Sequence, residues 1–144
     1  MGTLEEATRF GEIVVLAIPW RKKEDLPPSD LFKGKILIDA MNPYSAFGKV
    51  IDLGDSTSSE EVARLLPGAR LVKAFNTLGF ADLQSGAFKP GKDLWAIFVA
   101  GDNAEAKRIV SGLIESIGFV PIDTGSLREG GRLQQPGSPS TQNV

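Results

Sequence analysis

Five short apolar runs recur along the chain, and polar stretches separate them. The runs cover residues 13–18, 36–40, 71–75, 95–100 and 119–122. Most of them are continuous rather than alternating, and several are rich in β-branched residues. Continuous runs of this length are typical of strands that are buried on both faces, as in a parallel sheet. The pattern therefore predicts an α/β protein with about five strands.

Two segments between these runs carry the signals of a helix start. Ser58, followed by Glu61 three residues later, is typical of a capping box, so a helix is expected there. Asp102 opens a longer helix, which Gly118 ends at the C′ position. Its apolar stripe at helical spacing predicts five core residues, which are Ile109, Val110, Leu113, Ile114 and Ile117.

The chain before the second run predicts less regular structure. Residues from Leu4 to Phe10 are expected to form a short leading helix. Pro27 and Pro28 interrupt the following polar segment, so only a short helix after the two prolines is expected there.

Strands that alternate with helices predict a doubly wound parallel sheet with helices on both faces. We assign residues 1–124 to this domain. From Gly125 the chain becomes rich in glycine, proline and serine, so residues 125–144 are expected to form an extended C-terminal segment with a loose tail.

Composition excludes several classes of protein. The 144 residues suffice for one domain, and 42% apolar with 24% charged residues is typical of a globular chain. A net charge of −2 argues against binding to nucleic acid or to an anionic membrane. No apolar run approaches the ~20 residues of a membrane helix. The first ten residues lack the apolar core of a secretory signal, so we expect a cytoplasmic protein.

The chain contains no cysteine and no histidine. Thiolate nucleophiles, Ser-His-Asp chemistry and metal sites built from Cys or His are therefore excluded, and no metal is expected. The composition remains compatible with a reaction that needs little proton transfer by side chains, and hydride transfer between bound cofactors is one such reaction.

Candidate ligand residues follow the first three runs, because ligands of open α/β sheets bind beyond the carboxyl ends of the strands. Each group also has a structural interpretation: a strand end, a turn or a helix cap. Asn42 could present its amide to a ribose or a nicotinamide, and Asn76 with Thr77 is the polar pair best suited to grip a planar ligand. The candidates are Ile18, Pro19, Trp20, Asn42, Pro43, Ala74, Phe75, Asn76 and Thr77.

Charged residues near the strand ends favour structural roles. Asp39 could bind a ribose, but no glycine-rich turn of the form GxGxxG precedes it, so a structural role is favoured. Lys73 lies within an apolar run and therefore needs a partner or a place at the sheet rim. Asp102 is expected to favour the start of its helix. The basic residues Arg21 to Lys23 are interpreted as a solvated turn.

The order of several sequence blocks carries a family resemblance. The blocks EIVVLAIPW, KGKILIDAMNP, LVKAFNTL and AGDNAEAK resemble the NADPH-dependent oxidoreductases that act with coenzyme F-420, a deazaflavin. The cytosolic domain of the six-span metalloreductases is related. The resemblance runs from about Gly2 to Gly137 and implies a Rossmann-like fold.

The resemblance also implies cofactors and site residues. NADP(H) is expected to lie across the strand ends, with its nicotinamide near Ile18-Pro19, Asn42-Pro43 and Ala74-Phe75-Asn76. A deazaflavin or flavin acceptor would stack beside it and receive the hydride directly.

Family members begin with a strand, a glycine-rich phosphate turn, a helix and a second strand, whereas this chain resembles them only from a later helix. We therefore expect a truncated domain that binds NADP(H) more weakly than about 1 mM. One hypothesis is an enzyme whose phosphate-binding half comes from another chain, or whose start was misassigned. The alternative is a non-catalytic relic that serves as a binding or oligomerisation module.

The first apolar run predicts a homodimer. In the family's strand order the neighbour of the run from Ile13 to Ile18 is missing, so this apolar strand would leave an open edge. Two copies can close that edge about a two-fold axis, with the two strands antiparallel.

Overall fold

The computed structural model describes residues 2–88, 94–138 and 141. The predicted five strands form one sheet, in the order β1-β2-β3-β4-β5. The strands are β1 (Ile13–Leu16), β2 (Ile36–Asp39), β3 (Arg70–Lys73), β4 (Ala96–Gly101) and β5 (Val120–Gly125). The α/β, Rossmann-like fold is thereby confirmed.

The sheet is mostly parallel and reverses direction once. β1 pairs in parallel with β2, β2 with β3, and β4 with β5. β3 and β4 are antiparallel, with Val72 opposite Gly101 and Lys73 opposite Ala100. The expected all-parallel sheet is wrong at this junction, because a continuous apolar run reports burial on both faces but not strand direction. Consequently the carboxyl ends of β1, β2 and β3 lie at one end of the sheet, and the carboxyl ends of β4 and β5 lie at the opposite end.

Helices cover both faces of the sheet. The α-helices are α1 (Leu4–Phe10), α2 (Ser58–Leu65), α3 (Phe80–Gly86), α4 (Ala104–Ser116) and α5 (Glu129–Leu133), and 3-10 turns cover Trp20–Asp25 and Ser29–Phe32. The leading helix and the short helix after the two prolines agree with the prediction. The 3-10 turn before the prolines was not predicted. Within the described residues, no helix is long and apolar enough to cross a membrane.

Both predicted capped helices start one residue away from the expected cap. Thr57 caps α2, and its hydroxyl accepts a hydrogen bond from the Glu60 amide at 3.1 Å. Asn103 caps α4, and its side chain accepts from the Ala106 amide at 2.8 Å. Ser and Thr, like Asn and Asp, cap almost equally well, so adjacent candidates cannot be separated by residue type alone.

The core consists of one apolar cluster on each face. On the α4 face, residues of β2, β3 and β4 pack against Ala106, Val110 and Ile114, and on the other face Val62 and Leu66 pack against Leu37 and Leu71. Only part of the predicted α4 stripe is core, since Leu113 and Ile117 are more than one third exposed. Leu113 instead lines a cavity together with Val15 of β1 and with Phe80 and Leu83 of α3.

The chain after Gly125 is not simply extended. Residues Glu129–Leu133 form α5, in which Gly130 and Gly131 are buried, and Gln134 follows fully buried. The high glycine content suggested a loose segment, whereas here the missing side chains let the helix approach β4 and β5 closely. A Cβ atom on Gly130 would lie 2.4 Å from Thr124 Oγ1.

Replacing Gly112 with alanine is expected to raise the free energy of unfolding by roughly 0.5–1 kcal/mol, because glycine is the weaker helix former. Gly112 lies within α4, is exposed, and has open space around the position of a Cβ atom. Urea unfolding of both proteins measures the difference. A loss of stability would show that α4 is not a continuous helix at this position.

Candidate functional site

A cleft of about 350 Å³ lies beyond the carboxyl ends of β1 and β2. Residues after both strands meet there because the two strands are parallel. The lining residues are Ala17, Ile18, Pro19, Trp20, Arg21, Ala40, Met41, Asn42 and Tyr44. Four of the predicted site residues, Ile18, Pro19, Trp20 and Asn42, are therefore brought together. Arg21, interpreted from the sequence as part of a solvated turn, also lines the cleft.

Two asparagines join the loops after β2 and β3. Asn42 Nδ2 donates to the backbone oxygen of Asn76 at 3.0 Å, and Asn76 Nδ2 donates to Asn42 Oδ1 at 3.1 Å. Asn42 and Asn76 thus lie at the same end of the sheet, beyond the parallel strands β2 and β3. This double hydrogen bond fixes the plane of the Asn42 amide, and one N–H and one lone pair of that amide stay free for a ligand.

Asn76 supports Asn42 from the protein interior. It is almost fully buried, and its Nδ2 also donates to the backbone oxygen of Gln134 at 2.7 Å. Asn76 Oδ1 is buried without a hydrogen-bond partner among the described residues. An unpaired buried oxygen of this kind costs free energy and can accept a further hydrogen bond.

The residues around Asn76 do not line the cleft. Ala74 and Thr77 are buried. Phe75 has a φ of 69°, a left-handed conformation that is strained for an aromatic residue. Its side chain lines a second cavity of about 380 Å³, which also contains Val15 and shares Ala17 and Ala40 with the cleft. The segment from Ala74 to Thr77 is thus split between a support for Asn42 and the wall of a neighbouring apolar cavity.

Trp20 and Pro43 are both buried, but of these two residues only Trp20 lines the cleft. Trp20 is only 5% exposed, and its indole N–H donates to the backbone oxygen of Ser58 at 3.2 Å. The Lys23 ammonium lies 3.9 Å from the centre of the Trp20 ring, a cation–π contact. Pro43 is buried, and its oxygen accepts from the Ile51 amide at 2.8 Å.

A buried ion pair anchors the loop that leads to Asn42. Lys73 and Asp39 are fully buried, with Lys73 Nζ 3.3 Å from Asp39 Oδ2. Asp39 Oδ1 accepts from the Met41 amide at 2.9 Å, and Lys73 donates to the Met41 oxygen. Asp39 also accepts from the Ser59 hydroxyl at 2.6 Å. The structural role expected for Asp39, and the partner expected for Lys73, are both confirmed.

Burial lowers the pKa of the Lys73 ammonium below its ordinary value, because the charged form loses its hydration. The neighbouring Asp39 carboxylate opposes this shift. The pair therefore binds both the backbone N–H and the backbone oxygen of Met41, one residue before Asn42, and its two charges are buried away from the cleft.

Polar residues after β4 lie at the opposite end of the sheet from the cleft. Asp102 Oδ1 accepts from the Leu127 amide at 3.0 Å and so holds the start of the C-terminal segment. The structural interpretation of Asp102 agrees with this contact, although the helix cap is Asn103. No cluster of three or more His, Cys, Asp or Glu that could hold a metal ion occurs in the described ranges.

Sequence reasoning also missed the hydrogen bonds that Gln134 and Met41 make in this region. Gln134 lies in the segment expected to be loose, yet its backbone accepts from Asn76 and its side-chain Nε2 donates to Thr124 Oγ1 at 3.2 Å. Met41 contributes through its backbone alone. The contacts of Gln134 with Asn76 and of Met41 with Lys73 join residues that are far apart along the chain, so no local sequence pattern predicts them.

Comparison with known proteins gives a consistent result. Residues 1–43 match the family model described as NADP oxidoreductase, coenzyme F-420-dependent. Among curated proteins, metalloreductase STEAP3 of Rattus norvegicus is 34% identical over 124 residues, which cover 85% of this chain and 24% of the relative. The chain thus spans about a quarter of the length of that protein.

Two solved structures are similar along almost the whole chain. A hypothetical protein from Sinorhizobium meliloti has a TM-score of 0.80 and 36% identity, over 96% of this chain and 67% of that one. A putative F-420-dependent NADP reductase from Arthrobacter has a TM-score of 0.79 and 25% identity, over 92% of this chain and 64% of that one.

Proposed function

We propose, since the chain belongs to the family of coenzyme F-420-dependent NADP oxidoreductases, that its cleft holds the nicotinamide end of NADP(H). When bound, NADPH supplies a hydride for transfer to a deazaflavin or flavin acceptor. The role proposed for this chain is to bind and orient the ring. The doubly hydrogen-bonded pair of Asn42 and Asn76 at the cleft is the observation that carries this proposal.

The chemistry of the cleft suits a nicotinamide. The carboxamide of that ring has one donor group and one acceptor, and the fixed Asn42 amide has a free N–H and a free lone pair to match them. Ile18 and Pro19 provide apolar surface for the ring on the side of β1. A fixed amide loses little conformational entropy when the ligand binds, which favours alignment of a reacting ring.

The phosphates of NADP(H) have much weaker support. The sequence contains no GxGxxG turn, and the cleft offers one arginine, Arg21. Hydrogen bonds to charged groups contribute about 1.5–3 kcal/mol each, so the loss of three of them costs about 4–9 kcal/mol. We therefore propose that residues 1–144 by themselves bind NADP(H) at about 1 mM or weaker.

Titration of the isotope-labelled chain with reduced nicotinamide mononucleotide and with NADPH, followed by NMR, tests this proposal. We expect saturable shifts at Ile18, Asn42 and Tyr44 for both ligands, with dissociation constants within about tenfold of each other. The similarity is expected because both ligands share the ring that the cleft recognises.

Replacing Asn42 with aspartate is expected to weaken binding at least about tenfold, because the carboxylate has no N–H for the Asn76 oxygen or for the ligand. The matched control is Asn103→Asp, which keeps a good helix cap at the other end of the sheet. Equal effects of the two substitutions, or shifts that avoid Asn42, would contradict the assignment. Micromolar binding of NADPH alone would reveal a phosphate site elsewhere.

A further inference from the structure

The two walls of the candidate cleft come from two neighbouring segments of the chain. Residues 17–21 follow β1 and form one wall, and residues 40–42 with Tyr44 follow β2 and form the other. Leu16 pairs in parallel with Asp39 at the ends of these strands, so the two walls begin about 4.8 Å apart. A side chain at the far end of one wall can therefore reach a ligand that the other wall holds.

Arg21 is the one charged residue among those that line the cleft in the described part of the chain. The other eight lining residues are apolar or neutral, and no carboxylate is among them. The Arg21 side chain is exposed and makes no ion pair or hydrogen bond with any described residue. A guanidinium binds a carboxylate or a phosphate through two parallel N–H···O bonds. The cleft is therefore suited to a ligand that carries an anionic group.

The two basic residues that follow Arg21 already have partners. The Lys22 ammonium lies 3.2 Å from the Asp25 carboxylate. The Lys23 ammonium lies over the Trp20 ring, 3.9 Å from its centre. Neither lysine lines the cleft. Arg21 is thus the basic residue of this turn that an anion in the cleft can contact without displacing an acidic partner.

The backbone on both sides of Arg21 is held in place. On one side, Trp20 is buried and its indole N–H donates to the backbone oxygen of Ser58. On the other side, the Lys22 amide donates to the Pro19 oxygen at 2.7 Å and closes the start of the 3-10 turn. Arg21 therefore keeps its position at the cleft while its side chain is free to turn toward a ligand. A fixed backbone lowers the conformational entropy that is lost when a ligand binds.

Tyr44 brings a second free donor to the cleft, from the opposite wall. Its side chain is half-buried, and its hydroxyl has no hydrogen-bond partner among the described residues. Its amide donates to the Asn42 oxygen at 2.8 Å, and an antiparallel bridge with Val50 also holds its backbone. A phenol hydroxyl can donate a hydrogen bond to a phosphate oxygen. Arg21 and Tyr44 thus provide one charged and one neutral donor for the same anion.

The volume of the cleft indicates how much of a ligand it holds. At about 350 Å³ it lies near the lower end of the range for small-molecule sites, which is roughly 300–1,000 Å³. This volume suits one mononucleotide, a planar ring with one ribose and one phosphate, better than a whole dinucleotide.

We infer that Arg21 and Tyr44 bind the phosphate of a nicotinamide mononucleotide unit, the phosphate that is joined through one ribose to the ring beside Asn42. The inference rests on the proposed function, because the Asn42 amide sets the position of the ring. The ligand class is therefore a planar ring with an amide edge and a phosphate one sugar away. Because Arg21 is exposed, the contribution of this phosphate to affinity decreases as the salt concentration rises.

Two ligands that differ only by this phosphate test the inference. Reduced nicotinamide mononucleotide carries the phosphate and reduced nicotinamide riboside lacks it, so NMR titration of the isotope-labelled chain with each ligand isolates its contribution. We expect the mononucleotide to bind at least about tenfold more tightly than the riboside, and this difference should shrink as NaCl is added. The phosphorus resonance of the mononucleotide should shift on binding.

Substitutions at the two donors test their roles separately. Arg21→Gln is expected to raise the dissociation constant of the mononucleotide about tenfold and to leave that of the riboside unchanged. Arg21→Lys keeps the charge but not the paired N–H groups, so it should restore part of the loss. Tyr44→Phe should weaken the mononucleotide alone, by about threefold, because a neutral donor contributes less. The matched control is Lys49→Gln, since Lys49 is exposed, has no side-chain partner among the described residues and does not line the cleft.

The outcomes separate this inference from the proposed function. Equal affinities for the two ligands, with shifts at Asn42 for both, would overturn the phosphate assignment and leave the ring site standing. The assignment also fails if Lys49→Gln weakens the mononucleotide as much as Arg21→Gln does, because the effect would then come from overall charge. Binding of neither ligand would overturn the proposed function and the phosphate assignment with it. The comparison of the two ligands on the natural chain decides the question even if a variant fails to fold.

Discussion

Replacing Lys73 with methionine is expected to lower the free energy of unfolding by about 3–5 kcal/mol, because it leaves the Asp39 carboxylate buried without its counter-charge. Desolvation of an isolated carboxylate is far more costly than the loss of packing, since methionine has nearly the volume of the lysine stem. Unfolding in urea, followed by circular dichroism, measures the effect.

A second substitution separates charge from packing. In the double variant Asp39→Asn/Lys73→Met no charge is buried, and the side-chain oxygen of residue 39 can still accept from the Met41 amide, so most of the lost stability should return. The matched control is Lys107→Met, because Lys107 pairs with Asp123 at 2.9 Å and the Asp123 side chain is 58% exposed. That change should cost no more than about 1 kcal/mol. Equal losses for the two lysines would contradict this account.

Replacing Gly130 with alanine is expected to lower the free energy of unfolding by about 1–3 kcal/mol, because the added Cβ overpacks the contact of α5 with the sheet. That atom would lie 2.4 Å from Thr124 Oγ1 and 2.7 Å from Ala100 Cβ. Neither can move freely: Thr124 Oγ1 donates to the Val99 oxygen and accepts from Gln134 Nε2. We also expect the NMR signal of the Asn76 side-chain amide to shift, because α5 carries its partner Gln134.

The adjacent glycine provides the control for this experiment. A Cβ on Gly131 would have its nearest neighbour, Thr57 Oγ1, at an ordinary contact distance of 3.5 Å. Gly131→Ala should therefore leave stability unchanged or raise it by up to about 1 kcal/mol through better helix propensity. If Gly130→Ala is as stable as Gly131→Ala, then α5 does not pack as the structure shows.

The sequence alone predicted the parts of the fold that depend on local patterns. Apolar runs located both ends of all five strands to within three residues, and residues Leu4–Phe10 form the predicted leading helix. The direction of β4 was not predictable, because burial looks the same in either direction. Neighbouring residues that cap a helix almost equally well, such as Asp102 and Asn103, left the position of each N-cap uncertain by one residue.

The candidate site was predictable to the same extent. The proximity of Asn42 and Asn76 was predictable, because residues that follow neighbouring parallel strands lie at the same end of the sheet. Phe75 lines the other cavity because its backbone is left-handed. This conformation could not be predicted from the sequence, because it is typical of glycine and not of phenylalanine. The role of Gln134 depends on a tertiary contact of a segment whose composition indicated a loose tail.

The agreement between strand order and chain order bears on how this protein forms during synthesis. Each new strand pairs with the one made just before it, so the sheet can grow vectorially from the ribosome with short loop closures throughout. Gln134, the last partner of Asn76, emerges after β5 is complete. We therefore expect the five strands to pair before Gln134 can bind the asparagine pair, so that the cleft is completed after the sheet.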